Sequence, residues 1–312
     1  MDPLALPPSH SPLMLARLPA ALRGALTALA LGLNTLLVTV SLVPPALLKL
    51  LLPASAVRRA ADRALNALAS TWVAINNAWI GAVHPAARWD VQGVDGLHAR
   101  GWYLVSSNHQ SWVDILVLQR IFHGRIPFLK FFLKRELIWV PVIGLAWWAL
   151  DFPFMQRGGG HGARRGDLEA TRRACEKFKR IPTSVINFVE GTRFTPAKQA
   201  QQASPYRHLL RPKIGGLGIA LATMGEQFEA LLDVTIVYPK GTPRFWDLLC
   251  GRIDAVIVRV QRRELEPQLL GSDVLGEKAS RQRIQAWVEQ QWQEKDGLVD
   301  TLLDAVHGPA GS

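Results

Sequence analysis

Cysteine is scarce in this chain: two residues, Cys175 and Cys250, among 312, with no CxxC pair. A disulfide framework is therefore excluded, zinc-ribbon and thioredoxin-like chemistry are disfavoured, and a reducing compartment is expected. The eight histidines are scattered, with no pair at i,i+4, so no metal-ligand cluster is visible. No GxSxG elbow occurs, which leaves a serine nucleophile without support. Gly158-Gly-Gly-His-Gly162 lacks a following GK[ST] and reads as a flexible loop rather than a phosphate-cradling one. Acidic residues are short as well, 25 against 36 Lys+Arg, leaving a formal charge of +11. No Gly/Ser-rich linker divides the chain, and no internal repeat stands out.

What is present begins with apolar content. A 49% hydrophobic fraction with 11 Trp excludes a disordered or collagen-like chain. The excess charge is concentrated: residues 120–180 hold 13 Lys/Arg against five acids, +8 of the +11, interleaved with Trp and Phe. Such a mixture suits a nucleic-acid surface or an anionic bilayer. The N-terminal segment arbitrates, because 25 residues between Arg23 and Lys49 carry no charge. As a helix at about 1.5 Å per residue, that run reaches across a hydrocarbon core of about 30 Å. Membrane anchoring is therefore expected, against a buried pair of core helices, and nucleic acid drops out as a partner. Pro44-Pro45 is expected to break the helix. Arg17 and Arg23 before the run and Lys49, Arg58, Arg59 and Arg63 after it leave a single span and a monotopic hairpin equally open. A signal peptide fits poorly, since the run is too long and lacks a cleavage site.

The organisation read from the pattern is a flexible, Pro-rich stretch over 1–22, an anchor with its connecting helix over 23–83, and a catalytic domain over 84–312. Strands are expected at Trp89–Val94, Trp102–Ser106, Thr183–Val189, Leu232–Tyr238 and Asp254–Gln261. Helices are expected at Ser111–Phe122, Asp167–Arg180, Gly215–Phe228, Glu277–Glu294 and Leu298–Val306. Strands alternating with helices imply an α/β fold with a mostly parallel sheet flanked by helices.

Two strand ends carry chemistry. The strand WYLVSS ends at Asn108-His109, and Ser111-Trp-Val-Asp114 opens the next helix. A histidine at a strand's carboxyl end lies where open α/β sheets bind ligands. An aspartate five residues later, on the first helical turn, can reach back to fix the imidazole tautomer. A plainer reading makes Ser111-x-x-Asp114 a helix cap. The strand TSVINFV runs into Glu190-Gly-Thr-Arg193, which offers close backbone approach at Gly191, a hydroxyl at Thr192 and a guanidinium at Arg193. That set suits a phosphate, with a turn and a surface Glu–Arg pair as the alternative.

Asn108-His109-Gln-Ser-Trp-Val-Asp114 and Phe188-Val-Glu190-Gly-Thr-Arg193 together resemble the H-x4-D and E-G-T-R motifs of the glycerolipid acyltransferases, of the lysophosphatidate acyltransferase type. Phe152-Pro-Phe-Met-Gln-Arg157 is similar to the family's intermediate motif, and Val234-Thr-Ile-Val-Tyr-Pro239 to its last. The resemblance covers roughly 85–245, and Val189 before the glutamate places it in the V-E-G-T-R subgroup. It implies His109 as base and Asp114 as its orienting partner. Arg193, Arg157, Thr192 and the backbone at Gly191 would hold the acceptor's phosphate, and Glu190 would order the loop. Lys213, added here from charge and nearness in sequence, joins the phosphate set. The resemblance implies acyl transfer from acyl-CoA or from acyl carrier protein to the hydroxyl of lysophosphatidate or another lysolipid, with no metal or other cofactor. A non-catalytic protein binding anionic lipid is the contrasting class. The expected location is the cytoplasmic membrane of a bacterium, with the catalytic domain facing the cytosol.

Overall fold

A computed structural model describes residues 17–52, 54–152, 154–155, 181–270 and 278–307, together with Leu15 and Phe178. The helix expected over 167–180, the glycine loop at 158–162 and Arg157 lie outside the described residues, as do residues 1–14.

Two long helices come first: α1, Ala20–Leu51, and α2, Ser55–Val83, which pack against each other as a hairpin. Pro44 and Pro45 do not end α1. Each proline removes one backbone bond, to the carbonyls of Val40 and Ser41, and its ring crowds the preceding turn. Burial of Leu42 and Ala46 with Leu65 and Ala69 of α2 holds the helix together across that interruption. By length and composition α1 is the one described helix able to cross a membrane.

The remainder alternates strands and helices. In order these are β1 (Arg88–Gln92), β2 (Tyr103–Ser107), α3 (Val113–Phe122), β3 (Leu129–Phe131), β4 (Leu133–Lys134), α4 (Ile143–Ala149), β5 (Phe154–Met155) and β6 (Ser184–Phe188). Then follow α5 (Pro196–Gln201), α6 (Gly215–Met224), β7 (Ala230–Val237), α7 (Phe245–Leu249), β8 (Ala255–Arg263) and α8 (Lys278–His307). Six strands form one sheet in the order β1-β8-β7-β2-β6-β3, and β4 pairs with β5 separately. All ladders are parallel except β7 with β8. The expected α/β class, with a mostly parallel sheet between helices, is what the chain adopts. The segments expected as two C-terminal helices form a single one, which runs through Gly297.

The central strands β2, β6 and β7 are buried on both faces, as strands covered by helices above and below must be. One core layer packs Val117, Leu118 and Ile121 of α3 on Val105, Ile186 and Val234. The other sets Leu217 and Leu221 of α6, with Val288 and Trp292 of α8, against Leu104, Val185 and Leu231. Register then positions the site. Ser107 pairs with Phe188 of β6 and with Val234 of β7, so the loops leaving β2 and β6 emerge side by side.

Candidate active site

The β2 exit is fixed by Asn108, whose side chain imitates a strand. Its Nδ2 donates to the Ile236 carbonyl and its Oδ1 accepts from the Ile236 N–H, both at 2.9 Å. With Asn108 locked to β7, the next residue must turn out of the sheet. That residue is His109.

His109 Nδ1 lies 2.9 Å from Asp114 Oδ2. The same oxygen accepts from the backbone N–H groups of Gln110 (2.6 Å) and Ser111 (2.8 Å). Cap and orienting partner are therefore one carboxylate: it satisfies loop donors at the start of α3 and aligns the imidazole. Because Asp114 is an acceptor at every one of these contacts, Nδ1 carries the proton and Nε2 keeps its lone pair. The imidazole is slightly open, at 12% exposure, whereas the Asp114 side chain is 1% exposed. Phe188 stacks on the imidazole at 3.9 Å between ring centres.

Glu190 joins the two loops. Its Oε1 accepts from the His109 N–H at 2.8 Å, and its Oε2 from the Leu210 N–H at 3.1 Å. Phe194 N–H returns a bond to the His109 carbonyl at 2.7 Å. Glu190 is fully buried, and no Glu–Arg surface pair forms. Burial pushes its carboxyl from 4.5 up to about 8, the two backbone donors pulling the other way.

The remaining loop residues face outward. Gly191 sits at φ 68°, a left-handed conformation that favours glycine. A Cβ there would lie 3.3 Å from Lys213 Cδ, so Lys213, 22 positions later in sequence, flanks the loop. The Lys213 N–H donates to the Val189 carbonyl at 2.7 Å, which anchors it there. Arg193 is exposed, its guanidinium 5.0 Å over the Trp112 ring. Thr192 Oγ1 accepts from Lys198 Nζ at 2.8 Å. The structure thus gathers His109, Asp114, Glu190, Gly191, Thr192, Arg193 and Lys213 at one end of the sheet.

Three participants were not anticipated. Tyr238 donates to Asp114 Oδ1 at 2.6 Å. Lys198 contacts Thr192, and Leu210 holds Glu190 through a backbone N–H. A lone tyrosine before Pro239 at a strand end was the one available signal; a backbone donor such as Leu210 leaves none. Of the basic stretch, Arg120 donates to the Asn77 carbonyl, Arg125 to the Ile121 carbonyl, and Lys130 lies buried over the Phe178 ring.

A histidine oriented by a carboxylate, beside the Gly191 loop flanked by Arg193 and Lys213, is a candidate general-base site at the carboxyl ends of β2 and β6. Residues 88–239, just under half of the chain, match the family model described as Acyltransferase. Among curated proteins it is 28% identical over 216 residues to 1-acyl-sn-glycerol-3-phosphate acyltransferase 2 of Arabidopsis thaliana, covering 65% of this chain and 52% of that protein. It is 25% identical over 299 residues to lysocardiolipin acyltransferase 1 of Danio rerio, covering 91% of this chain and 72% of that one. The chain thus spans about half the length of the first of these relatives. Its fold is similar to that of the 1-acyl-sn-glycerophosphate acyltransferase PlsC of Thermotoga maritima. The TM-score is 0.50 at 22% identity, over 87% of this chain and 97% of that one.

Proposed function

We propose that the chain is a membrane-associated acyltransferase that moves a fatty acyl group from a thioester of coenzyme A or acyl carrier protein to the free hydroxyl of lysophosphatidate. The observation that carries the reading is the His109–Asp114 pair, with Nε2 unbonded among the described residues, locked by Glu190 to the loop that presents Gly191 and Arg193. Nε2 takes the hydroxyl proton as the acceptor oxygen attacks the thioester carbonyl carbon. Collapse of the tetrahedral intermediate breaks the C–S bond, and the thiolate recovers that proton from the imidazolium. Neither a covalent acyl-enzyme nor a metal takes part. Arg193, Lys213 and the backbone at Gly191 bind the phosphate, joined by Arg157, and Glu190 orders the loop behind them.

Residues 23–83 serve as the anchor and 84–312 as the catalytic domain. Besides Ile75 and Val306, the exposed large apolar side chains among the described residues lie on or just after α1, at Trp112, between Trp139 and Trp148, and at Phe245 and Trp246. The helices α4 and α7, which touch α1, carry Leu145, Trp148, Phe245 and Trp246 of this set. Lying on an anionic cytoplasmic membrane with the domain in the cytosol would cover that apolar surface.

The named relatives act on different lysolipids, and the match to lysocardiolipin acyltransferase 1 covers most of this chain. A second lysophospholipid is therefore the competing acceptor. Purified full-length protein in vesicles, given labelled acyl-CoA and either lysophosphatidate or other lysolipids, tests the choice. Labelled phosphatidate is expected as main product, with Arg193→Ala raising the KM for lysophosphatidate at least tenfold. Transfer only to other lysolipids sinks the acceptor assignment, and unchanged kinetics removes Arg193 from the site.

A further inference from the structure

We infer that Tyr238 is a positioning residue for the acyl transfer, acting on His109 through the second oxygen of Asp114. The inference rests on the reading of His109 as base.

Asp114 meets its donors unequally. Oδ2 takes the imidazole and two backbone N–H groups, all from the β2–α3 loop. Oδ1 points away from that loop and meets the Tyr238 hydroxyl at 2.6 Å. Tyr238 comes from the end of β7, on the opposite side of the carboxylate, so the Asp114 plane is pinned between two elements. The phenol is fully buried, and burial beside the Asp114 charge pushes its ionisation well above 10, so the hydroxyl stays a donor. Among the described residues Glu190 reaches His109 through its backbone N–H rather than its ring, and the cations Arg193 and Lys213 flank the adjoining loop.

The consequence is electrostatic as well as steric. A phenol donating to Oδ1 disperses the carboxylate charge and weakens its hold on an imidazolium proton. Without the hydroxyl, Oδ1 is a buried acceptor lacking a donor. The carboxylate then pulls harder on the Nδ1 proton, and a neutral imidazole forms only at higher pH. Its plane is also released, which disturbs the aim of Nε2.

Full-length protein in vesicles is compared as wild type, Tyr238→Phe, and with 3-fluorotyrosine at 238, a stronger donor that keeps the shape. Tyr238→Phe is expected to lower kcat about tenfold, the worth of one hydrogen bond to a charged group. The acid limb of kcat/KM should rise by about half a pH unit, with acceptor KM little changed. Fluorotyrosine should move that limb the other way. A purely structural role lowers kcat equally at all pH values and leaves the limb in place; a limb fixed in both variants overturns the inference. If Tyr238→Phe does not fold, the fluorotyrosine protein decides alone. His109→Ala in the same series separates this failure from failure of the base assignment, because full activity there removes the base itself.

Discussion

α1 and α8 are nearly the same length, 32 and 30 residues, and are patterned in opposite ways. α8 buries Ile284, Val288, Trp292 and Val299 and turns Gln282, Glu289 and Gln290 to solvent. α1 buries Gly24, Thr27, Asn34 and Thr39 ahead of Leu42 and Ala46, and turns Leu22, Leu29, Leu33, Leu36, Leu37 and Val40 outward. Before the apolar contact at Leu42 and Ala46, its interface with α2 is polar: Asn34 Nδ2 donates to Asn76 Oδ1 at 2.7 Å, and Trp72 Nε1 to Thr35 Oγ1 at 3.0 Å. A helix with small and hydrogen-bonding residues inward and leucines outward is matched to lipid, where apolar contact alone does not drive helices together. On the membrane-anchored reading proposed above, one chain solves two solvent problems, and the candidate site lies in the domain that joins them.

The comparison breaks most visibly with charge on the leucine face. Leu29→Asp, Leu33→Asp and Leu36→Asp together should strip the chain from vesicles in a flotation gradient, each costing about 3 kcal/mol at the centre of a bilayer. Gln282→Asp with Gln290→Asp on α8 should leave flotation and folding untouched. Next in size, Trp292→Ala should destabilise the domain by about 3–5 kcal/mol, read by denaturant unfolding. It also releases the Leu210 carbonyl, to which the indole N–H donates at 2.9 Å. Smaller again, Asn34→Leu should cost about 1 kcal/mol in detergent, because it removes two interhelical bonds, to the Trp72 carbonyl and to Asn76 Oδ1, and strands Asn76. A gain in stability would mean that the α1–α2 contact is driven by apolar burial after all.

A pH-dependent effect, read as the slope of a profile, concerns the loop that α8 supports. Because folding raises the Glu190 carboxyl from 4.5 to about 8, the folded state holds that proton more tightly than the unfolded one. Its contribution is complete below pH 4.5 and is lost as pH rises towards 8. Glu190→Gln should therefore start less stable, having lost an acceptor for one of its two N–H partners, yet show a flatter stability profile across that window. Parallel profiles for the two proteins would place the titration elsewhere.

The sequence made five strands of the main sheet and both motif loops legible, since apolar runs ending in polar residues are local signals; β3, β4 and β5, two or three residues each, are too short to leave one. Ser111-x-x-Asp114 supported two readings, and the contacts of both form because one oxygen meets the imidazole and the Ser111 N–H. Pro44-Pro45 misled because local breaking is outweighed by packing on α2, a partner that adjacency does not reveal. The antiparallel turn of β8 was equally hidden, since its apolar pattern resembles that of its parallel neighbours. Tyr238 lies 124 positions from Asp114, and only the β2–β7 register makes them neighbours. What was legible was chemistry placed at strand ends; what was not was chemistry assembled across the sheet.

The most direct test of the account is phosphatidate formation by His109→Ala in vesicles, with membrane-bound protein matched to wild type. The account predicts a fall of at least about a hundredfold in kcat, as loss of a general base requires, with flotation unchanged. Wild-type turnover in that variant would contradict it.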